Sequence, residues 1–214
     1  MHVTGVGTSQ VPSTATAAVL NITATGADGA GYVTVWPCGS PRPQASNLNI
    51  SAGGTAPNLV VTKIGDGGNV CIYVQSAMDL IADINGYTPA GSSYVPVVPE
   101  RVLETRADGQ TGYSGGKPAA GATIALQITG VGASPVPATA NAVVLNVTGV
   151  EPDATGYVTV WPCGSPRPTA SNLNLAPGAI TPNLVMAKIG EGGKVCLFTQ
   201  SPAHLVADVN GYWP

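Results

Sequence analysis

An eight-residue string, Trp36-Pro37-Cys38-Gly39-Ser40-Pro41-Arg42-Pro43, returns unchanged 125 positions later as Trp161-Pro162-Cys163-Gly164-Ser165-Pro166-Arg167-Pro168. Held without a gap over 3–89, that offset gives 54 identical pairs out of 87, among them Asn21 with Asn146, Asn58 with Asn183, Cys71 with Cys196 and Asp83 with Asp208. The chain is therefore two copies of one module, and the fold must be one that a stretch of this length can build twice. Between the copies lies an unrepeated segment, 90–127. It carries Tyr94-Val95-Pro96-Val97-Val98-Pro99, then Arg101-Val102-Leu103-Glu104-Thr105-Arg106, a Gly-rich loop and Thr123-Ile124-Ala125-Leu126-Gln127. Both its ends are too apolar for a mere linker.

Within a copy the apolar residues recur every second position. Val33 and Val35 alternate with Thr34 and Trp36, Leu48 and Ile50 with Asn49, and Val70, Ile72 and Val74 with Cys71 and Tyr73. Spacing of two is the signature of a half-buried strand. Further runs at 17–25, 58–64 and 80–87 are separated by turns such as Asp66-Gly67-Gly68-Asn69, whose Asp-Gly suits a hairpin. The 28 glycines and 19 prolines of 214 residues make about 22% of the chain, against a usual ~12%, and they cut it into short segments. About six strands per copy predict an all-β protein of two tandem antiparallel β-sandwich or barrel-like modules. The first spans 1–89 and the second 90–214, with 94–127 as its leading segment. The first half of that segment, 94–106, has a competing place at the edge of copy one.

Only 9% of residues are charged but 44% are hydrophobic, so the chain has the apolar content to fold. The net charge of -3, without a basic cluster, excludes the electrostatic footprint of a nucleic-acid binder. No run of apolar residues is long enough to span a membrane. The start of the chain has no secretion signal, which is expected to have been removed or to lie upstream.

Each copy holds one equivalent cysteine pair, Cys38 with Cys71 and Cys163 with Cys196, and each pair is expected to form a disulfide within its module. Disulfides imply an oxidising compartment, hence an extracellular or cell-surface location. A zinc site competes, but the cysteines lack C-x-x-C spacing and the chain has only His2 and His204. No phosphate-binding loop with a Lys-Ser/Thr tail occurs. Neither a metal nor another cofactor is expected.

One motif imitates a catalytic signature. Gly112-Tyr113-Ser114-Gly115-Gly116 fits the nucleophile-elbow pattern, but an elbow needs a strand before it and a helix after it. Here Lys117-Pro118 follow in a loop, so no catalytic residue is assigned. Asp83 and Asp208 sit inside apolar runs where an unpaired carboxylate would be costly if buried; Arg101 and Arg106 are natural candidates for a structural ion pair with one of them, and a ligand-binding carboxylate is the alternative. The sequons at Asn21, Asn49 and Asn146 matter only in a eukaryotic secretory pathway.

The repeated loop itself combines Trp36 and Arg42, or Trp161 and Arg167, with Asn47 and Asn49, or Asn172 and Asn174, in neighbouring strands; Asn58 and Asn183 lie beyond. An aromatic face beside planar polar groups suits a sugar ring. A Trp packing on its own disulfide is the alternative.

Taken in order, Arg101-Val102-Leu103-Glu104-Thr105-Arg106, Val144-Leu145-Asn146-Val147-Thr148, Gly156-Tyr157-Val158-Thr159-Val160-Trp161-Pro162, Ser171-Asn172-Leu173-Asn174 and Val206-Ala207-Asp208-Val209-Asn210-Gly211-Tyr212 resemble a tandem repeat module of secreted and cell-surface actinobacterial proteins, often accessory to extracellular hydrolases. The resemblance implies an extracellular accessory role and no particular site. Such a module usually begins at its Arg-Val-Leu-Glu-Thr-Arg segment, which copy one lacks, so one body is expected to be short of strands. The leading expectation is a non-catalytic module pair, a surface spacer or adhesive unit that binds cell-wall or extracellular polysaccharide. Its alternative is a structural subunit of a fibre or surface assembly, homo-oligomeric or head-to-tail, that uses strand exchange. A hydrolase comes third.

Overall fold

The computed structural model describes residues 1–6, 11–132 and 136–214. By contacts the chain divides into two compact units, Met1–Pro99 and Glu100–Pro214. The first holds β1 (Ala17–Thr25), β2 (Gly31–Pro37), β3 (Leu48–Ile50), β4 (Thr55–Lys63), β5 (Val70–Val74) and β6 (Asp79–Thr88). They form two three-stranded sheets, ordered β4-β1-β6 and β3-β2-β5. Antiparallel ladders join them: Asn21 stands opposite Leu59 on one side and Asp83 on the other, and Trp36 opposite Cys71. The alternation read from the sequence becomes the core, since Leu20, Ile22 and Ala24 of β1 meet Val33 and Val35 of β2, Leu48 of β3 and Val70 of β5 in one buried cluster. Two sheets sharing one apolar interior make a β-sandwich.

The second unit repeats this plan with β9 (Ala142–Val150), β10 (Gly156–Pro162), β11 (Leu173–Leu175), β12 (Ile180–Lys188), β13 (Lys194–Thr199) and β14 (His204–Trp213). Two further strands come from the unrepeated segment, β7 (Val95–Glu104) and β8 (Thr123–Gln127). The sheets become β12-β9-β14-β7 and β11-β10-β13-β8. The contact boundary after Pro99 falls inside β7, yet both strands of the segment pair within the body that follows them. Direct chain continuity favours that choice, because Ile128 enters the second copy immediately after β8 and sequential elements tend to be spatial neighbours.

The disulfides Cys38–Cys71 and Cys163–Cys196 join the second strand of each copy to the fifth, with Cα separations of 5.0 and 5.1 Å. Beside each, the backbone of the following turn approaches the first cysteine closely: Asp66 N–H donates to the Cys38 carbonyl at 2.9 Å and Glu191 N–H to that of Cys163 at 2.8 Å. A Cβ on Gly65 or Gly190 would run into that carbonyl oxygen, so glycine is dictated there by proximity. No helix among the described residues is long and apolar enough to cross a membrane.

Candidate functional site

The loop between β2 and β3 is held by side chains reaching across it. Val35 N–H donates to Asn47 Oδ1 at 2.7 Å, Thr34 Oγ1 to the Ala45 carbonyl at 2.6 Å, and Asn58 Nδ2 to the Asn47 carbonyl at 2.5 Å. The second copy repeats all three, with Val160 to Asn172 at 2.8 Å, Thr159 to Ala170 at 2.6 Å and Asn183 to Asn172 at 2.6 Å. The repeated asparagines therefore stitch a loop to a strand that already has other ladder partners. Asn49 and Asn174 accept from Ser46 and Ser171 Oγ, each at 2.8 Å.

The indole N–H of Trp36 donates to the Ser40 carbonyl at 3.0 Å, as does that of Trp161 to Ser165. Trp161 is buried; its ring packs inside the module rather than presenting a face to solvent. The stacking in these loops is done by the arginines instead. Arg42 lies 3.9 Å above the ring of Tyr73 and Arg167 lies 3.6 Å above that of Phe198. Tyr32 tilts against Tyr73 and Tyr157 against Phe198. Beside this second stack is a shallow pocket of about 250 Å³, lined by Tyr157, Thr169, Ala170 and Ser171. It brings a half-buried phenol ring next to two hydroxyls and close to Asn174, which is bonded to Ser171. Sequence reasoning overlooked Tyr157; its signal is its place opposite Asn174 in the β10–β11 ladder.

The charged groups converge in the second unit. Arg101 reaches Asp208 through Nε at 2.5 Å and Nη2 at 3.4 Å, and donates through Nη1 to Glu104 at 2.8 Å. Arg106 does not pair with an aspartate. Its Nε and Nη2 close on Glu104 at 2.8 and 2.7 Å, and its backbone N–H adds a third bond at 3.1 Å. A carboxylate two residues away is met at far lower entropic cost than one across the sheet. Among the described residues Asp83 forms no ion pair either, and it is exposed on β6. Glu104 and Asp208 are almost wholly buried. Burial alone would push the Glu104 carboxyl up, but the hydrogen bonds and charge of Arg106, with the charge of Arg101, hold it below the usual range. The same contact with Glu104 raises the Arg106 guanidinium further. Thr105 completes the cluster. Its hydroxyl takes the Leu205 N–H at 2.9 Å and meets His204 Nδ1 at 3.1 Å. The role of Glu104 as a hub was missing from the sequence reading, although its place between two arginines announced it.

Ser114 lies in irregular chain with neither a strand before it nor a helix after it. The loop is tied down by an ion pair between Lys117 and Asp153. All four cysteines are in disulfides, which leaves none to ligate zinc. Neither any known family model nor any curated protein matches this chain.

Proposed function

We propose that the chain is a non-catalytic pair of extracellular modules, a surface spacer and adhesive unit, whose second copy contacts polysaccharide through the shallow pocket at Tyr157. The observation that carries this reading is the pocket itself: one face of a phenol ring beside Thr169 and Ser171, with Arg167 fixed nearby. At about 250 Å³ it is below the roughly 300 Å³ at which enclosing small-molecule pockets begin. Such a site suits a passing segment of an extended polymer rather than an engulfed ligand. Two disulfides are consistent with an oxidising compartment, and the resemblance to secreted actinobacterial modules points the same way.

The test is retention on insoluble cell-wall and extracellular polysaccharides, alongside a hydrolase panel. Aromatic contacts contribute ~1 kcal/mol, so the Tyr157→Ala, Ser171→Ala double variant should bind several-fold more weakly with no hydrolysis in either protein. Retention that is absent, or indifferent to both substitutions, removes the glycan reading. Turnover of any substrate removes the non-catalytic one.

A further inference from the structure

The arginines of the chain, Arg42, Arg101, Arg106 and Arg167, are used in two ways. Arg101 and Arg106 turn the edges of their guanidiniums, where the N–H groups lie, to Glu104 and Asp208. Arg42 and Arg167 turn only a face inward, onto Tyr73 and Phe198. Both are exposed, and among the described residues neither forms an ion pair or a hydrogen bond through its side chain. A guanidinium laid flat on a ring keeps its fork of N–H groups in its own plane, so the contact that fixes the group leaves its donors for another partner.

The loop around Arg167 holds that posture. Pro166 has a fixed φ, and Pro168 restricts the residue before it, which is Arg167 itself. The Ser165 carbonyl takes the Trp161 indole N–H at 3.0 Å, and Ser165 N–H donates to the Pro162 carbonyl at 3.3 Å. The Cys163–Cys196 bond ties the start of the loop to β13, the strand that carries Phe198. The same restraints recur around Arg42, but the surroundings differ. Ala45 is 6% exposed, whereas its counterpart Ala170 is exposed and lines the pocket with Tyr157. The second copy is the one in which a stacked arginine borders an open pocket.

We propose that Arg167 binds a carboxylate, and that the polymer taken at the Tyr157 pocket is an acidic polysaccharide in which uronic acids alternate with neutral sugars. Tyr157 and Arg167 border the same ring: the Tyr157 centroid is 5.9 Å from that of Phe198, and Arg167 Cζ is 3.6 Å from it. A uronate carries its carboxylate one bond from the sugar ring. That reach lets the ring lie against Tyr157 while the carboxylate takes two parallel N–H bonds from Arg167. The spacing of charge along the polymer follows from the protein's own charge. At a net -3 the chain repels a polymer charged at every unit, and the single fork of Arg167 matches a carboxylate standing alone between neutral sugars. This assignment rests on the polysaccharide reading of the pocket and narrows it.

The probes are hyaluronan, in which glucuronate alternates with N-acetylglucosamine, and the same polymer with its carboxylates converted to methyl esters. Affinity of the full chain for each is measured by calorimetry at one ionic strength. Esterification should weaken binding about tenfold, as for the loss of other hydrogen bonds to charged groups. Arg167→Gln should lose the same factor on the acidic polymer and nothing on the ester. Arg167→Lys keeps the charge without the fork and should also bind the acidic polymer several-fold more weakly. Lys188→Gln removes an equal charge from the exposed end of β12 and should bind as the parent does. Arg167 is exposed, so its variants should melt close to the parent, which separates lost binding from lost structure. Equal affinity for the two polymers, both weakened by Tyr157→Ala, overturns the acidic assignment and leaves the polysaccharide reading in place. No binding to hyaluronan overturns it too, and retention on neutral polysaccharides then decides whether the pocket reading survives. A loss on Arg167→Gln that Lys188→Gln reproduces assigns the effect to overall charge and overturns it as well.

Discussion

At the scale of single residues, the repeat provides the same carboxylate in two environments. Asp208 is buried against Arg101; Asp83 is exposed and, among the described residues, in no ion pair. Removing one member of a buried pair strands the other charge and costs about 3–5 kcal/mol. Arg101 keeps Glu104 as a second partner, so Asp208→Asn should fall near the lower end of that range. Asp83→Asn should change stability by less than about 0.5 kcal/mol. Equilibrium denaturation of the two variants measures both, and equal losses would show that Arg101 contributes little. Glu104 adds a pH dependence. Its folded-state pKa lies below the ordinary 4.5, so the stabilisation is full above that value and is lost as the pH falls from 4.5 through the lower folded value. Glu104→Gln should lower stability at neutral pH and flatten that acid limb. An unaltered slope below pH 4.5 would place the acid sensitivity elsewhere. Such a cluster was only half legible in advance: the charges stand out among apolar residues, but a local carboxylate captured Arg106 before a distant one did.

At the scale of elements, the strands were legible because nothing but alternate burial explains a spacing of two sustained through Ala18, Leu20, Ile22 and Ala24. What alternation does not encode is the contact between a loop and a strand twelve residues away. Asn47 and Asn172 look like exposed ligand-binding amides in sequence, and fold into staples that accept from Val35 and Val160. The glycines beside the disulfides show the same limit, since their need arises from a close approach visible only in three dimensions. Gly65→Ala and Gly190→Ala should each destabilise their own module by about 1–3 kcal/mol, the usual cost of overpacking, because the disulfide keeps the cysteine backbone from yielding. A mild loss at both sites, below 0.5 kcal/mol, would mean that the turn relaxes freely. Edge position has its own signature. Among the described residues β6 pairs with β1 alone, so the amides on its other side should exchange far faster than those of β14, whose two neighbours protect it. Equal protection in the isolated chain would show that β6 is covered in solution.

At the scale of the whole molecule, the offset of 125 residues announces two bodies of one design, and the structure gives each its own buried interior. Chain continuity already points 94–127 to the second body, and only its first half, 94–106, stays open in the sequence because its apolar residues suit either neighbour; β7 pairs with β14 of the second. The consequence is unequal bodies. Among the described residues six strands stand against eight, which predicts that the first body is the less stable, although the disulfide bond is common to both. Thermal unfolding of the intact chain should then show two transitions, the lower belonging to the first body, β1 to β6. Asp208→Asn identifies them, since a loss of about 3 kcal/mol in a domain of roughly 100 residues lowers its midpoint by on the order of 10–20 °C. It should move the upper transition down toward the lower one and leave the lower in place. Scanning calorimetry of the parent chain and the variant decides the matter. A single transition displaced as a unit by Asp208→Asn would mean that the difference in strand number costs little and that the two bodies unfold as one.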